Sequence, residues 1–590
     1  MPRRPTRVTA LAGVVTLALV ACTSSGNEPD EVETPSATAE PGPERGEVQQ
    51  PAEDVVVLPG ADGALALAAS QVFFAGAPVT VVADDADPEA LLRAASVAVA
   101  LGAPVLLDDD AAVLGEELTR LGAGWVVTVG GVTLPDGVTT SVPEDGVGAG
   151  ADGEVVVVPA PEDDDALAAL LDRPAEEPVE AGAGEEAAAL AALQRGRFTP
   201  LVGVAGEGSG DGATPAEDGT SATPGEGAGD PPAQSPDPGD LPTVEPAEPV
   251  TGALALTTGA PTELAAAATA RAAGAELAVV PGGDPRATTE TVAALSQAQA
   301  DHVVGLGDGF GDEETLRWRT AAAATGLELP GGGQLVLPGK RYVALYGTPV
   351  TGALGVLGEQ GVEETVARAA EHAAPYEELT EDTVVPALEI IATVASAGAG
   401  DDGNYSNELP PESLRPLVDA AGEAGQYVVL DLQPGRASFL EQAQQYAELL
   451  ALPHVGLALD PEWNLGPQDR HLVRIGSVTA AEVNEVVDWL ADLTRERNLP
   501  QKLLVLHQFQ VRMIQTVPEV DLSRSELAVL VHADGQGSQG SKQETWRTLH
   551  ANAPGIEWWG WKNFYDEDSP MLTPEETARV EPFPHFISYQ

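Results

Sequence analysis

From residue 338 to the C-terminus, short apolar runs alternate with amphipathic helical stretches, and this alternation limits the fold more than any other feature of the chain. Strands are expected at Tyr342 to Tyr346, Ala387 to Val394, Tyr427 to Leu430, Val455 to Leu459, Leu503 to Leu506, Leu527 to Val531 and Ile556 to Gly560, with "PHFISYQ" as an eighth. Helical patterns such as "GVEETVARAAEHAA", "PESLRPLVDAAGEA", "SFLEQAQQYAELLA" and "TAAEVNEVVDWLADLTRERN" separate them. A helical crossover returns the chain to the same end of a sheet, so the strands should be parallel. Seven or eight such units in about 250 residues fit a (β/α)8-type barrel, assigned here to residues 338–590.

Barrel active sites lie at the C-terminal ends of the strands. In this chain those ends carry Asp431 and Gln433, Asp460 and Glu462, His507 and Gln508, His532 and Asp534, and Lys562 and Asn563. Five polar ends converging on one mouth make a site more plausible than a turn. Along "HVGLALDPEWN", the two-residue strand period puts Gly456, Ala458, Asp460 and Glu462 on the axis side and Val455, Leu457 and Leu459 against the helices. The small residues are expected to leave space below the carboxylates.

The N-terminal half reads as a second α/β unit. Residues 94–131 ("AASVAVALGAPVLLDDDAAVLGEELTRLGAGWVVTVGG") and 266–308 ("AAATARAAGAELAVVPGGDPRATTETVAALSQAQADHVVGLGD") share an order of elements. Gly102-Ala103 corresponds to Gly274-Ala275, and Val126-Val127 to Val303-Val304. Buried Val-rich runs between helices argue for a Rossmann-like parallel sheet over residues 54–330. No G-x-G-x-x-G stands at a strand-to-helix turn, and no cofactor is expected. Residues 206–250 and 22–53 are rich in Gly, Pro, Glu, Ser and Thr, and are expected to be a disordered insertion and a disordered tether.

The chain begins with an address. Arg3, Arg4 and Arg7 precede an apolar stretch that ends in Leu19-Val20-Ala21-Cys22, and Cys22 is the one cysteine. This resembles the lipobox of bacterial lipoproteins. The resemblance implies that residues 1–21 are a signal peptide, that Cys22 is lipidated, and that the protein sits on the extracellular face of the membrane. With 92 acidic against 29 basic residues and a net charge of −63, nucleic acid is excluded as a partner and broad attraction to anionic lipid is unfavourable.

Two further resemblances concern the folded parts. "LGAPVLL" (101–107) and "LGAGWVVTVGG" (121–131) resemble motifs of the putative cell-wall-binding repeat 2 family, which implies a cell-wall glycan partner. Asp460-Pro461-Glu462 resembles the Asp-x-Glu pair of glycoside hydrolase families 25 and 18, although the longer D-x-x-D-x-D-x-E run of family 18 is absent. That resemblance implies Glu462 as general acid, Asp460 as its charged partner and Trp463 as a sugar platform. Cleaving an acetal needs one carboxyl kept protonated beside one kept ionised, and close carboxylates split their pKa values in that direction.

Candidate substrate-binding residues are Asp431, Gln433, Trp463, His507, Gln508, His532, Asp534, Lys562 and Asp566, the last two within "EWWGWKNFYDED". Aromatics there serve equally to pack barrel against helices. Two other functions stay open: a non-catalytic wall-binding protein with a degenerate barrel, and a metal-dependent hydrolase using His507 and His532 with Asp431 and Asp460. No H-x-H or H-E-x-x-H spacing supports a metal site.

Overall fold

The computed structural model describes residues 43–135, 138, 155–204 and 241–590. The lipobox and Cys22 lie outside them. The two main N-terminal sheets use eight strands, in chain order β1 (Val55–Leu58), β2 (Val79–Ala83), β3 (Val105–Leu107), β4 (Trp125–Val129), β5 (Val156–Pro159), β6 (Ala253–Thr257), β7 (Glu276–Val279) and β8 (His302–Leu306). One sheet has the order β3-β2-β4-β5 and the other β7-β6-β8-β1, and every pairing in both is parallel.

The sequence correspondence therefore reappears as a shared topology, except that the outer strand of the second sheet, β1, precedes every strand of the first in the chain. The matched glycines have a matched reason. Gly102 and Gly274 end the helices Pro88–Leu101 and Leu264–Ala273 in the left-handed region, at φ 68° and 100°, where a side chain would be strained. A Cβ on Gly102 would also meet Pro246 at 2.8 Å, and one on Gly274 would run into Pro249.

Those two prolines correct one boundary. Residues 241–250 are not part of a disordered insertion: Leu241, Val244 and Val250 are buried in the N-terminal core. The rest of the proposed insertion, 206–240, lies outside the described residues, as do 22–42 of the proposed tether. Residues 43–53 belong to the folded body, since Glu44 bridges to Val244 and Glu47–Val48 pairs with Phe74–Gly76.

The second half contains β9 (Lys340–Thr348), β10 (Thr383–Ala395), β11 (Tyr427–Leu432), β12 (Val455–Leu459), β13 (Lys502–Gln508), β14 (Leu527–Ala533), β15 (Trp558–Asn563) and β16 (Phe586–Tyr589). They run in the order β9-β16-β15-β14-β13-β12-β11-β10, and β9 pairs with β10 to close the barrel. All eight pairings are parallel. Each expected strand is present, most of them longer than the apolar run that marked it.

Side-chain alternation follows the strand period. Val455, Leu457 and Leu459 join the cluster beneath the helices, whereas Ala458 packs inside the barrel with Val429 and Val505. The expected space under the carboxylates is filled. A Cβ on Gly456 would lie 2.6 Å from the Leu503 carbonyl oxygen and 2.9 Å from the Tyr427 hydroxyl, so glycine makes room for a tyrosine that reaches over β12 to accept from the Leu503 amide on β13. Gly456→Ala should therefore destabilise the fold by about 1–3 kcal/mol through overpacking, measurable as a lower denaturation midpoint. An unchanged midpoint would mean that Tyr427 has another position to take.

Candidate active site

The apolar strands of the barrel end on polar residues that enclose a cavity of about 430 Å3. Tyr346 from β9, Gln433 after β11, Asp460 and Glu462 after β12, Asp534 after β14 and Lys562 on β15 supply its polar wall. Trp463, Phe509 and Phe564 supply aromatic surface.

Strand β12 stops at Leu459, and the chain turns through a single 3-10 turn at Pro461–Trp463. The expectation that strand alternation carries Glu462 to Asp460's side is thus replaced by a turn that does so. Pro461 fixes φ and forgoes an amide donor at the first position of the turn. Asp460 caps it, accepting from the Glu462 amide at 3.3 Å. Capping and lining the cavity are both roles of this one carboxylate.

Behind the wall lies a buried polar layer. His507 Nδ1 is 3.0 Å from Asp534 Oδ2, and Nε2 is 2.7 Å from Glu389 Oε1. With carboxylates at both nitrogens, the imidazole donates twice and is a cation. Tyr346 donates to Asp431 at 2.8 Å, and the Lys562 ammonium stands 3.3 Å from the centroid of the Tyr346 ring. His532 packs edge-on against His507, with centroids 4.9 Å apart, and its Nε2 is 3.3 Å from the Ser588 hydroxyl.

These neighbours push the titrating groups apart. Burial raises Glu462 to about 7, helped by the negative charge of Asp534. Burial, Glu462 and Asp431 hold Asp460 well above the carboxylate range, and burial raises Asp431 to about 6. Asp534 goes the other way: burial opposes its charge, but the hydrogen bond and charge of His507 outweigh it and keep the carboxyl below its ordinary value. Burial likewise opposes charge on His507, yet Glu389 and Asp534 hold it well above the usual histidine range. His532, buried beside the His507 cation and Lys562, is held neutral.

The cavity wall accordingly carries a protonated carboxyl, Glu462, and an ionised one, Asp534. Asp460, expected to be the charged partner, is pushed toward its protonated form by burial and by the charges of Glu462 and Asp431.

Of the remaining expected residues, Asp431, His507 and His532 sit in the buried layer and not on the cavity surface. Gln508 points away from the axis, spending its amide on the carbonyls of Gln510 and Val511. Asp566 is exposed on the following loop and is no part of the cavity. The loop's structural carboxylate is Asp568, which is buried and accepts from Lys542 at 2.6 Å. Trp559 and Trp561 of the aromatic run pack outward with Trp546.

Glu389 and Tyr346 escaped the sequence reading, although each left a signal. Glu389 is a lone acid inside the apolar "ALEIIATV", which parallel-strand burial on both faces tolerates only beside a cation. Glu389, His507 and His532 bring potential ligand atoms within 4.8 Å of one another, a different set from the one expected for a metal. In the observed arrangement both His507 nitrogens donate, leaving no lone pair for an ion.

No family model matches the sequence, and no curated protein matches it. Among solved structures, Cwp6 from Clostridium difficile is similar at 13% identity and a TM-score of 0.30, covering 67% of this chain and 65% of that one. The chain thus spans about two-thirds of the Cwp6 chain's length. A xylanase-α-amylase inhibitor protein (XAIP-I) in complex with trehalose aligns at 13% identity and a TM-score of 0.27, covering 42% of this chain and 92% of its own. A hyperthermophilic endo-β-1,4-glucanase in complex with substrate aligns at 11% identity and a TM-score of 0.25, with 42% and 87% covered. The fold class rests on the strand order of this chain, and its function has to be argued from the residues of its own cavity.

Proposed function

We propose that the barrel hydrolyses glycan, with cell-wall or other extracellular polysaccharide as substrate. The observation that carries this reading is the division of labour at the cavity: Glu462 titrates at about 7, while Asp534 is held ionised by the His507 cation. Glu462 gives its proton to the glycosidic oxygen as the C–O bond breaks. Asp534, in the place first expected for Asp460, faces the positive charge that develops at the anomeric carbon. Water then adds to the anomeric carbon, gives its proton to the Glu462 carboxylate and leaves a hemiacetal, the new reducing end. Trp463 offers the sugar an aromatic face, and Lys562 a donor for its hydroxyls.

Incubating the purified chain with cell-wall glycan and a panel of soluble polysaccharides tests this reading. New reducing ends are the expected result. Binding without turnover on any of them would leave a wall-binding protein with a silent barrel.

We further propose, from the resemblance of Leu19 to Cys22 to a lipobox and of 101–107 and 121–131 to wall-binding repeats, that the protein is held outside the cell by lipid on Cys22 and touches wall glycan through its N-terminal half. Cys22→Ser should release the protein into the medium or leave the precursor unprocessed, as seen by fractionation and mass. A variant that stays processed and membrane-bound would put the anchor elsewhere.

A further inference from the structure

The cavity does not end at Trp463. Glu462 and Trp463 also line a second groove of about 490 Å3, whose far side is built by His471, Arg474, Ile475 and Arg512. In a chain with net charge −63, two guanidinium groups and an imidazole line one trough beside the proposed acid, together with the exposed Leu472 and Val473.

Arg512 is held but not neutralised. Its Nε donates to the Gln510 side-chain oxygen at 2.8 Å and one terminal nitrogen to the Ile475 carbonyl at 3.3 Å, and among the described residues no carboxylate pairs with it. Neutral acceptors therefore fix the plane of the guanidinium while its charge stays available. Arg474 is oriented by Asp469 at 2.7 Å, a carboxylate that also accepts from the Gly466 amide at 3.0 Å. His471 bonds the Tyr405 carbonyl at 2.8 Å through Nε2, while its Nδ1 is buried without a partner. Its ring lies 5.5 Å from that of Trp463.

A neutral sugar would take single hydrogen bonds from these donors, whereas a carboxylate or phosphate pairs with a planar guanidinium through two parallel bonds. We propose that the groove is a second subsite taking an oxyanion-bearing residue of the substrate glycan, with Arg512 and Arg474 as its recognition groups and Trp463 shared between the two sugars. The substrate class is then an anionic glycan, which Arg512 attracts at short range against the repulsion that the net charge imposes at long range. This rests on reading the main cavity as a glycan site, but not on its being catalytic.

Equilibrium binding by calorimetry at low ionic strength tests the subsite on the full chain, with three probes: an oligogalacturonate, a neutral chito-oligosaccharide of equal length, and an oligomeric glycerol phosphate. One of the two anionic probes should bind at least about tenfold tighter than the neutral one, as a single charge-assisted bidentate pair provides. Whichever it is names carboxylate or phosphate as the oxyanion. Arg512→Gln should reduce that preference about tenfold, and the Arg474→Gln, Arg512→Gln double variant should abolish it while neutral binding stays unchanged. Arg512 is exposed, so the variant should keep the parent's melting temperature.

Equal affinity for charged and neutral probes, no binding of any probe, or a preference indifferent to both arginines would overturn the subsite. Hydrolysis of neutral glycan without a charge preference would sink the subsite and leave the hydrolase standing. A charge preference without turnover would do the reverse.

Discussion

Glu462→Gln should lower turnover of glycans with poor leaving groups by about 10^2–10^4-fold while leaving folding and glycan binding nearly intact, the range expected for loss of one positioned general acid. The amide keeps the shape of the carboxyl but has no proton to transfer. Activated aryl glycosides, whose leaving groups need little protonation, should lose much less. The pH profile supplies an independent check. Only protonated Glu462 can act, so wild-type turnover should fall as pH rises through about 7. It should hold on the acid side until Asp534, depressed by His507, begins to take up a proton below the ordinary carboxylate range. Equal loss on both substrate classes, or a basic limb that survives the substitution, would remove Glu462 from the acid's role.

The second large effect concerns stability. His507 lies fully buried between Glu389 and Asp534, so His507→Leu would leave two buried carboxylates facing one another with no cation between them. Breaking a buried ion pair from one side costs about 3–5 kcal/mol, and a loss of that size in denaturant stability is expected near pH 6–7. The sign with pH follows from the raised pKa of the imidazole. Its stabilisation is complete below the unfolded value of about 6.5 and is lost only as pH climbs through the higher folded value. Acidification should narrow the gap between variant and parent, because the stranded carboxyls can then protonate. Adding Glu389→Gln should recover part of the loss, whereas no recovery would show that packing, not charge, was what His507 supplied.

The barrel was legible because parallel strands covered on both faces must be largely apolar, and the eight runs were, even with Glu389 and Glu557 as lone acids among them. Its mouth was legible for the complementary reason: Asp460, Asp534 and Lys562 interrupt or terminate those runs. Facing direction at the strand ends was only partly read: the two-residue period that puts His507 inside turns the next residue, Gln508, outward, and Glu462 is delivered by a proline-started turn and not by strand alternation. Protonation was equally illegible, since Asp460 and Asp534 look alike in sequence and differ only in which of them meets His507. The borders of the polar segments were misjudged because composition averages over a window. Leu241, Val244 and Val250 are too few to change the character of "LPTVEPAEPV", yet each fills a site in the core.

The strand order of the second N-terminal sheet has a mechanical consequence. Because β1 precedes every strand of the first sheet but pairs with β8, a load from the N-terminal side that has passed the Glu47–Val48 pairing reaches the second sheet before the first. Parallel strands pulled from opposite chain ends slide past one another, so the hydrogen bonds from Val303↔Val55 to Leu306↔Leu58 would be strained together and not peeled one at a time. The same order sets a timetable for synthesis. β1 has no strand to pair with until residues near 306 have emerged, so the first strand of these two sheets waits for the last of them.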